Sequence, residues 1–142
     1  MFIVGRWKTR DSVMLAEFVK LDLKDRKLLD LCTGNAPLPL ILSKYNIEIV
    51  AIEIQETIYK LAKESIRLNK ITNINLINDC IKNMANYFPG NNFDIITCNP
   101  PYFKFDQNSI INEHNEKAIA RHEIKIKIKL EEIVQIAYNT GL

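Results

Sequence analysis

Apolar and polar residues follow two different periods along this chain, and the two periods alternate. Short runs rich in β-branched residues predict four strands, at 27–32, 47–54, 74–79 and 93–99. Apolar residues that recur every three or four positions predict helices at 12–21, within 33–45, at 55–70 and at 129–139, with a short helix or turn at 81–88. Strands that alternate with helices form right-handed βαβ units. The pattern therefore predicts an α/β fold with a parallel sheet of about four strands.

Prolines and small polar residues set the expected ends of these elements. Pro37 and Pro39 fit only the first turn of a helix, so the segment 33–45 is predicted to be a turn followed by a helix. Asp11 or Ser12 is the predicted cap of the first helix. The run "IEIVAIEI" at 47–54 is typical of a strand that is buried on both faces.

Length and composition point to one soluble domain covering residues 1–142. The chain has 142 residues, of which 47% are hydrophobic and 25% charged. No apolar run approaches the roughly 20 residues of a membrane span, and the apolar part of "MFIVGRWKTR" is too short for a signal peptide. A net charge of +2 does not identify a nucleic-acid-binding protein by itself.

The cysteine pattern indicates a reducing compartment and no metal site. The chain has three cysteines, an odd number without a Cys-x-x-Cys pair, which indicates reduced thiols in the cytoplasm. His114 and His122 are the only histidines, so a structural zinc site is not expected.

The sequence stops at "NTGL", where a helix should lead into another strand. We therefore expect an incomplete domain whose fourth strand has one unpaired edge. An unpaired apolar edge favours self-association.

Polar residues stand at the ends of all four predicted strands. They are Asp30, Glu53, Asp79 and Asn99. In doubly wound sheets ligands bind beyond the carboxyl ends of the strands. Gly34 permits a tight turn after the first strand, Glu53 is placed to accept two ribose hydroxyls, and Asp79 is placed to accept a hydrogen bond from an adenine amine. Taken alone, each acid is more often a helix cap or a solvated loop residue, but the set predicts a nucleoside site.

The set resembles the class I S-adenosylmethionine-dependent methyltransferases over most of residues 11 to 103. That resemblance implies a Rossmann-like sheet in which the four predicted strands, numbered along the chain, have the spatial order 3-2-1-4. The family's remaining strands are expected to follow residue 142.

The same resemblance implies S-adenosylmethionine as cofactor and assigns its contacts. "LDLCTGNA", with Asp30 and Gly34, matches the first cofactor motif, although Cys32 and Ala36 stand where glycines are common. By the same resemblance Glu53 binds the ribose and Asp79 meets the adenine. Ile54 and Cys80 match the apolar residues on either side of that ring.

The stretch "NPPY" at 99–102 supplies the predicted chemistry. In the same family this motif marks methyl transfer to a planar nitrogen, with Asn99, Pro100 and Tyr102 as the catalytic residues. The Asn99 side-chain oxygen and the Pro100 carbonyl would accept the two N–H groups of an exocyclic amine, and the prolines would fix the carbonyl direction in advance. Tyr102 would stack on a flipped base. The alternative is a proline-rich strand exit that only terminates the sheet.

Two flanking stretches favour an RNA acceptor. "TRDSVMLAEFV" at 9–19 and "AIARHE" at 118–123 resemble the bacterial tRNA1(Val) adenine-N6 methyltransferases, which modify the adenine beside the anticodon. Pro101, Phe103 and Arg121 are the predicted substrate-binding residues. Basic residues interleaved with Trp7 and Phe105 suit contacts with phosphates and bases, although "IKIKIK" at 124–129, taken alone, is more typical of a solvated lysine-rich surface.

The motif leaves other acceptors open. Guanine N2 and the side-chain amide of a protein glutamine suit the same motif, and a release-factor glutamine methyltransferase is the main alternative. A cofactor-binding module without turnover is the alternative from another class.

Overall fold

The structure is a computed structural model, and it describes residues 2–4, 9–19, 21–22, 24, 26–90, 92–100 and 130–140. Within them lie five strands: β1 (Phe2–Val4), β2 (Lys27–Leu31), β3 (Glu48–Ile52), β4 (Ile74–Ile77) and β5 (Ile95–Cys98). The helices are α1 (Thr9–Phe18), α2 (Pro37–Leu42), α3 (Glu56–Leu68), a 3₁₀ turn (Ile81–Asn83) that runs into α4 (Met84–Tyr87), and α5 (Leu130–Thr140).

The strands form one sheet in the order β1-β5-β2-β3-β4, and every described pair is parallel. The four predicted strands are β2, β3, β4 and β5, so the predicted order 3-2-1-4 is confirmed. This arrangement places β2 and β3 in the interior of the sheet. Both strands are buried from their second residue to their last, as the β-branched run at 47–54 predicted.

The prediction that the fourth strand has an unpaired edge is wrong. The short strand β1 pairs with β5 in parallel and aligns Phe2 with Ile96 and Val4 with Cys98. This pairing covers three of the four residues of β5. In the sequence, Phe2–Val4 is only an apolar stretch too short for a signal peptide, and this pattern does not reveal the strand.

The helices begin and end within a few residues of their predicted bounds, with one correction at α1. Helix α1 begins at Thr9, so Asp11 and Ser12 both lie inside the helix and neither is its cap. Helix α2 begins at Pro37, and Pro39 also lies in its first turn, as predicted. Pro37 follows the left-handed residue Ala36, and no side chain caps this helix.

Apolar residues on the two faces of the sheet form two separate clusters. On one face Leu29, Val50 and Ile96 pack with residues of the 3₁₀ turn, α4 and α5, among them Met84 and Ile133. On the other face Leu28, Ile49 and Ile95 pack with α1 and α2. Alternate residues of a strand point to opposite faces, so each interior strand contributes to both clusters. The result is a three-layer α/β sandwich that fixes the carboxyl ends of the strands as one edge.

In the part of the chain that the structure describes, no helix has both the length and the apolar character needed to cross a membrane.

Candidate functional site

Four neighbouring strands end at the same level. Strand pairing aligns Leu31 with Ile52 and with Cys98, and Ile52 with Ile77. The residue that follows each strand at this level is Cys32 after β2, Glu53 after β3, Asn78 after β4 and Asn99 after β5. The sheet register therefore brings Glu53 and Asn99 to one edge, as the sequence predicted. Asp30 lies one position before that level and Asp79 two positions after it.

Asp30 is a buried carboxylate held by two threonines. Its Oδ2 accepts a hydrogen bond from Thr33 Oγ1 at 2.7 Å, and its Oδ1 accepts one from Thr97 Oγ1 at 2.7 Å. Burial raises the pKa of Asp30 to about 6, against the lowering effect of the two hydroxyls and with a further rise from the charge of Glu53. Neither threonine is among the predicted site residues, although Thr97 stands out as a polar residue within an apolar strand.

Glu53 joins the ends of β2 and β3 through its carboxylate. Its Oε2 accepts the backbone N–H of Gly34 at 2.8 Å, and its Oε1 accepts the backbone N–H of Gln55 at 2.8 Å. The residue is buried, and this burial raises the pKa of the carboxyl even though both N–H groups favour the charged form. Each oxygen retains a second lone pair, so the carboxylate can still accept hydroxyl groups from a ligand.

The turn between β2 and α2 has an unusual backbone. Cys32, Gly34 and Ala36 all have positive φ values, 59°, 60° and 59°. A non-glycine residue in this region costs about 1–2 kcal/mol, so Cys32 and Ala36 hold strained positions. These are the two positions at which the sequence lacks the glycines of the resembled motif. Backbone strain of this kind is concentrated at binding sites.

Asp79 is already engaged by its own segment. Its carboxylate accepts hydrogen bonds from Tyr87 Oη at 2.7 Å, from Asn83 Nδ2 at 2.8 Å and from the Cys80 backbone N–H at 2.6 Å. These contacts, that from Tyr87 first, lower the pKa of Asp79. The network holds the turn before the 3₁₀ segment, which is the local role that acids at strand ends often have. A contact between Asp79 and adenine stays a prediction.

The two predicted neighbours of the adenine ring are accessible to a ligand. Ile54 is exposed and Cys80 is half-buried. Asn78, which the sequence analysis did not single out, fixes this region. Its Nδ2 donates to the carbonyls of Glu53 at 2.7 Å and Ile54 at 3.1 Å.

Asn99 directly follows β5 and is only 8% exposed. Its Nδ2 donates a hydrogen bond to Ser12 Oγ at 3.0 Å. Its Oδ1 is buried and has no hydrogen-bond partner among the described residues. A buried carbonyl oxygen of this kind costs free energy unless a partner arrives, so Asn99 presents an acceptor that is ready for a ligand N–H.

The remaining predicted residues are placed only in part. Pro100 is half-buried. Pro101, Tyr102, Phe103 and Arg121 lie outside the described residues, as do the basic stretches 5–8 and 104–129. Cys32, Cys80 and Cys98 are free thiols, and a hydrogen bond with Cys32 together with burial raises the pKa of Cys98. The described residues contain no group of three or more metal-binding side chains.

Comparison with known proteins identifies the family. A family model described as a methyltransferase domain matches residues 22–135. The chain belongs to the methyltransferase-domain family. The match contains the sheet from β2 to β5 and all the strand ends described above. It confirms the predicted methyltransferase family, for which the sequence predicts S-adenosylmethionine as cofactor.

Two curated relatives of this methyltransferase domain differ in their acceptors. The tRNA1(Val) (adenine(37)-N6)-methyltransferase of Shewanella woodyi is 30% identical over 138 residues, which are 92% of this chain and 55% of the relative. The release factor glutamine methyltransferase of Thermodesulfovibrio yellowstonii is 36% identical over 83 residues, which are 57% of this chain and 29% of the relative. The chain thus spans about half of the first relative and under a third of the second.

A solved structure supports the fold of the methyltransferase domain. The YcgJ protein from Bacillus subtilis superimposes with a TM-score of 0.56 at 19% identity, over 64% of this chain and 38% of that one. At this identity the likeness shows the α/β fold alone.

The strand ends of the methyltransferase domain fit S-adenosylmethionine. Glu53 offers two buried carboxylate oxygens beside the strained turn that contains Gly34, and the adjacent Ile54 is exposed. A buried carboxylate is a suitable acceptor for ribose hydroxyls, and an exposed apolar side chain is a suitable surface for an adenine ring. The assignment of these residues to the cofactor remains our prediction.

Replacing Glu53 with alanine is expected to weaken S-adenosylmethionine binding by tenfold or more. Each charge-assisted hydrogen bond to a ribose hydroxyl is worth on the order of 1.5–3 kcal/mol. The variant also frees the Gly34 and Gln55 N–H groups that the carboxylate holds. Isothermal titration calorimetry measures the loss. Glu53→Gln, which keeps one acceptor oxygen, should fall between the wild type and Glu53→Ala.

A cofactor analogue without ribose hydroxyls separates the ligand contact from the effect on the turn. Wild type should bind this analogue more weakly than the cofactor, whereas Glu53→Ala should bind the two almost equally. Equal discrimination by both proteins would remove Glu53 from the ribose site.

Proposed function

We propose that this methyltransferase domain transfers a methyl group from S-adenosylmethionine to an exocyclic amino nitrogen, and that the acceptor is adenine N6 in tRNA. The observation that supports this proposal is the buried, unpartnered Oδ1 of Asn99 at the carboxyl end of β5. A site that must accept an N–H needs such an oxygen, fixed in place before the substrate arrives.

An exocyclic amine on an aromatic ring is a poor nucleophile because its lone pair is delocalised into the ring. Asn99 Oδ1 and the carbonyl of Pro100 would accept the two N–H groups of the amine. Those hydrogen bonds favour tetrahedral nitrogen, which frees the lone pair for bond formation. When bound, S-adenosylmethionine supplies a methyl group activated by positively charged sulfur, so the chain's own task is to orient the acceptor and to remove its solvent.

The extent of the similarity favours tRNA adenine over the other acceptors. The tRNA-modifying relative from Shewanella woodyi aligns with 92% of this chain, and the glutamine-modifying relative with 57%. The stretches 9–19 and 118–123, which resemble the tRNA enzymes, lie on either side of the shared cofactor region. The anticodon-adjacent adenine of tRNA Val is the specific acceptor that this resemblance suggests. A tRNA acceptor also agrees with the cytoplasmic location predicted from the thiols.

Glutamine N5 of a release factor is the second candidate acceptor. The relative that modifies glutamine has the higher identity, 36%, although over a shorter segment. A primary amide and an aromatic amine each offer two N–H groups and a delocalised lone pair, so Asn99 and Pro100 suit both acceptors equally well.

Transfer of radiolabelled methyl from S-adenosylmethionine distinguishes these acceptors. The protein is incubated in parallel with unmodified tRNA, with ribosomal RNA and with purified release factor. We expect label in tRNA, and digestion to nucleosides should give N6-methyladenosine. Label in the release factor would instead establish the glutamine reaction, and label in ribosomal RNA as N2-methylguanosine would establish guanine as the acceptor.

Cofactor binding without transfer to any acceptor would contradict the proposed activity. It would leave the binding-module alternative for this chain. The same assay on a longer chain that matches the full length of the Shewanella relative shows whether further residues are required for turnover.

A further inference from the structure

Ser12 is a buried polar residue on the face of α1 that packs against the sheet. It is 7% exposed and lies near the apolar residues Leu15, Ala16 and Val19 of the same helix. Its hydroxyl oxygen accepts the hydrogen bond from Asn99 Nδ2 at 3.0 Å. An apolar side chain would suit this buried position better unless the hydroxyl has a specific partner.

This contact determines which end of the Asn99 amide is free. The amide has one donor end and one acceptor end, and a 180° rotation of the group exchanges them. With Nδ2 directed to Ser12, Oδ1 is the end without a partner among the described residues. The opposite rotation would offer an N–H to the substrate, and an N–H cannot accept the hydrogen of an amine.

In this contact the Ser12 oxygen is the acceptor, so it presents a lone pair to the Asn99 amide. Lone pairs attract the donor end of an amide and repel the acceptor end. Ser12 thus differs from an apolar residue of the same size, which would leave both orientations of Asn99 accessible.

We propose that Ser12 is a positioning residue that holds the Asn99 amide with its oxygen directed toward the acceptor nitrogen. This inference rests on the proposed function, because it concerns the same methyl transfer. Ser12 touches neither the substrate nor the cofactor in this proposal. It acts only through Asn99, across a separation of 87 residues in the sequence.

Ser12→Ala is expected to lower the turnover number for methyl transfer by roughly tenfold, because it removes the buried hydrogen bond that orients the Asn99 amide. The Michaelis constant for the acceptor and the dissociation constant of S-adenosylmethionine should change less than twofold. Ser12→Thr keeps the hydroxyl and should retain most of the rate. Ser65→Ala is a matched control, since Ser65 is also a helical serine and its hydroxyl donates to the Leu61 carbonyl at 3.0 Å in α3.

The double variant Ser12→Ala, Asn99→Ala separates positioning from a general effect on structure. If Ser12 acts only through Asn99, the double variant should be no slower than Asn99→Ala alone. A further tenfold loss in the Asn99→Ala background would overturn the proposal, as would a Ser12→Ala variant with full activity.

A spectroscopic measurement tests the contact without any activity. The side-chain amide signals of Asn99 in a ¹⁵N-labelled protein are assigned by their disappearance in Asn99→Ala. In Ser12→Ala these signals should shift and their hydrogens should exchange faster with water, while Ser12→Thr and Ser65→Ala should leave them close to wild type. If the wild type transfers no methyl group to any acceptor, the proposed function fails and these signals still decide whether Ser12 orients Asn99. Unchanged signals in Ser12→Ala would contradict the positioning role even if the enzyme is active.

Discussion

Replacing Asn99 with alanine is expected to lower methyl transfer by about two to three orders of magnitude, because it removes a fixed acceptor used mainly in the transition state. The Oδ1 that is lost is buried and has no other partner among the described residues. In the absence of substrate this buried oxygen lowers the stability of the fold, so its removal favours the variant. The loss of the hydrogen bond to Ser12 acts in the opposite direction. Single-turnover rates with labelled cofactor give the size of the effect.

The affinity for S-adenosylmethionine should barely change in Asn99→Ala, since the predicted cofactor contacts lie at the ends of the other strands. Asn69→Ala is the matched control, because Asn69 is exposed and its Nδ2 donates to the Ser65 carbonyl at 2.8 Å at the end of α3. A variant at Asn99 that transfers methyl groups as fast as the Asn69 control would remove Asn99 from the reaction. A parallel loss of rate and cofactor affinity would point to a distorted site.

Replacing Asp30 with asparagine is expected to stabilise the fold at neutral pH by up to about 3 kcal/mol. Burial raises the pKa of Asp30 from an ordinary 3.8 to about 6, and each pKa unit corresponds to 1.36 kcal/mol. An asparagine can accept from one threonine hydroxyl and donate to the other, so both partners of Asp30 keep a hydrogen bond. Chemical denaturation of both proteins from pH 4 to 8 measures the difference in the free energy of unfolding.

The sign of the pH dependence follows from proton binding. Between about pH 4 and pH 6 the folded protein holds a proton on Asp30 that the unfolded chain has released. The stability associated with this proton is fully present below pH 4 and is lost as the pH rises to about 6. The advantage of Asp30→Asn should therefore be close to zero at pH 4 and reach its full value above pH 6. A difference that does not vary with pH would show that the buried charge is not its source.

Asp94→Asn is an instructive comparison because the sign is opposite. The Asp94 carboxylate accepts the backbone N–H groups of Arg26 and Lys27 at 2.8 and 2.9 Å, and these bonds lower its pKa. Its stabilising effect is present above its ordinary pKa and is lost as the pH falls. Asp94→Asn should therefore destabilise the protein at neutral pH, whereas Asp30→Asn stabilises it. The Asp30 carboxylate thus lowers stability at neutral pH, which is typical of a residue that is retained for function.

The level at which the strands end was predictable from the sequence pattern, whereas the strand order was implied only by the family resemblance. Buried parallel strands are nearly continuous β-branched runs, and the residue after such a run must lie at the carboxyl edge of the sheet. Glu53 and Asn99 follow runs of this kind, so their presence at one edge required no knowledge of side-chain packing. A tight turn was also predicted, since Gly34 follows the first strand and Pro37 requires a helix start close after it. The left-handed conformations of Cys32 and Ala36 were not.

The partners of these residues could not be predicted, because they come from distant parts of the chain. The strand β1 covers the edge of β5 although 94 residues separate Phe2 from its partner Ile96, and no local pattern marks that pairing. Asp79 was predicted to face a ligand, yet Tyr87 and Asn83 already hold its carboxylate, since the chain turns back within eight residues.

Local patterns in the sequence were enough to predict the alternation of strands and helices, the polar residue at each strand end and the Asn-Pro-Pro-Tyr motif. The state of those polar groups depends on the folded arrangement of the chain. Close packing of α1 and β2 against β5 buries Asp30 between two threonines, which raises its pKa. It also places Ser12 against Asn99, which leaves one oxygen without a partner among the described residues. Burial and hydrogen bonding depend on groups brought together across the fold, and those groups set both the charge of a side chain and the direction in which it can bind.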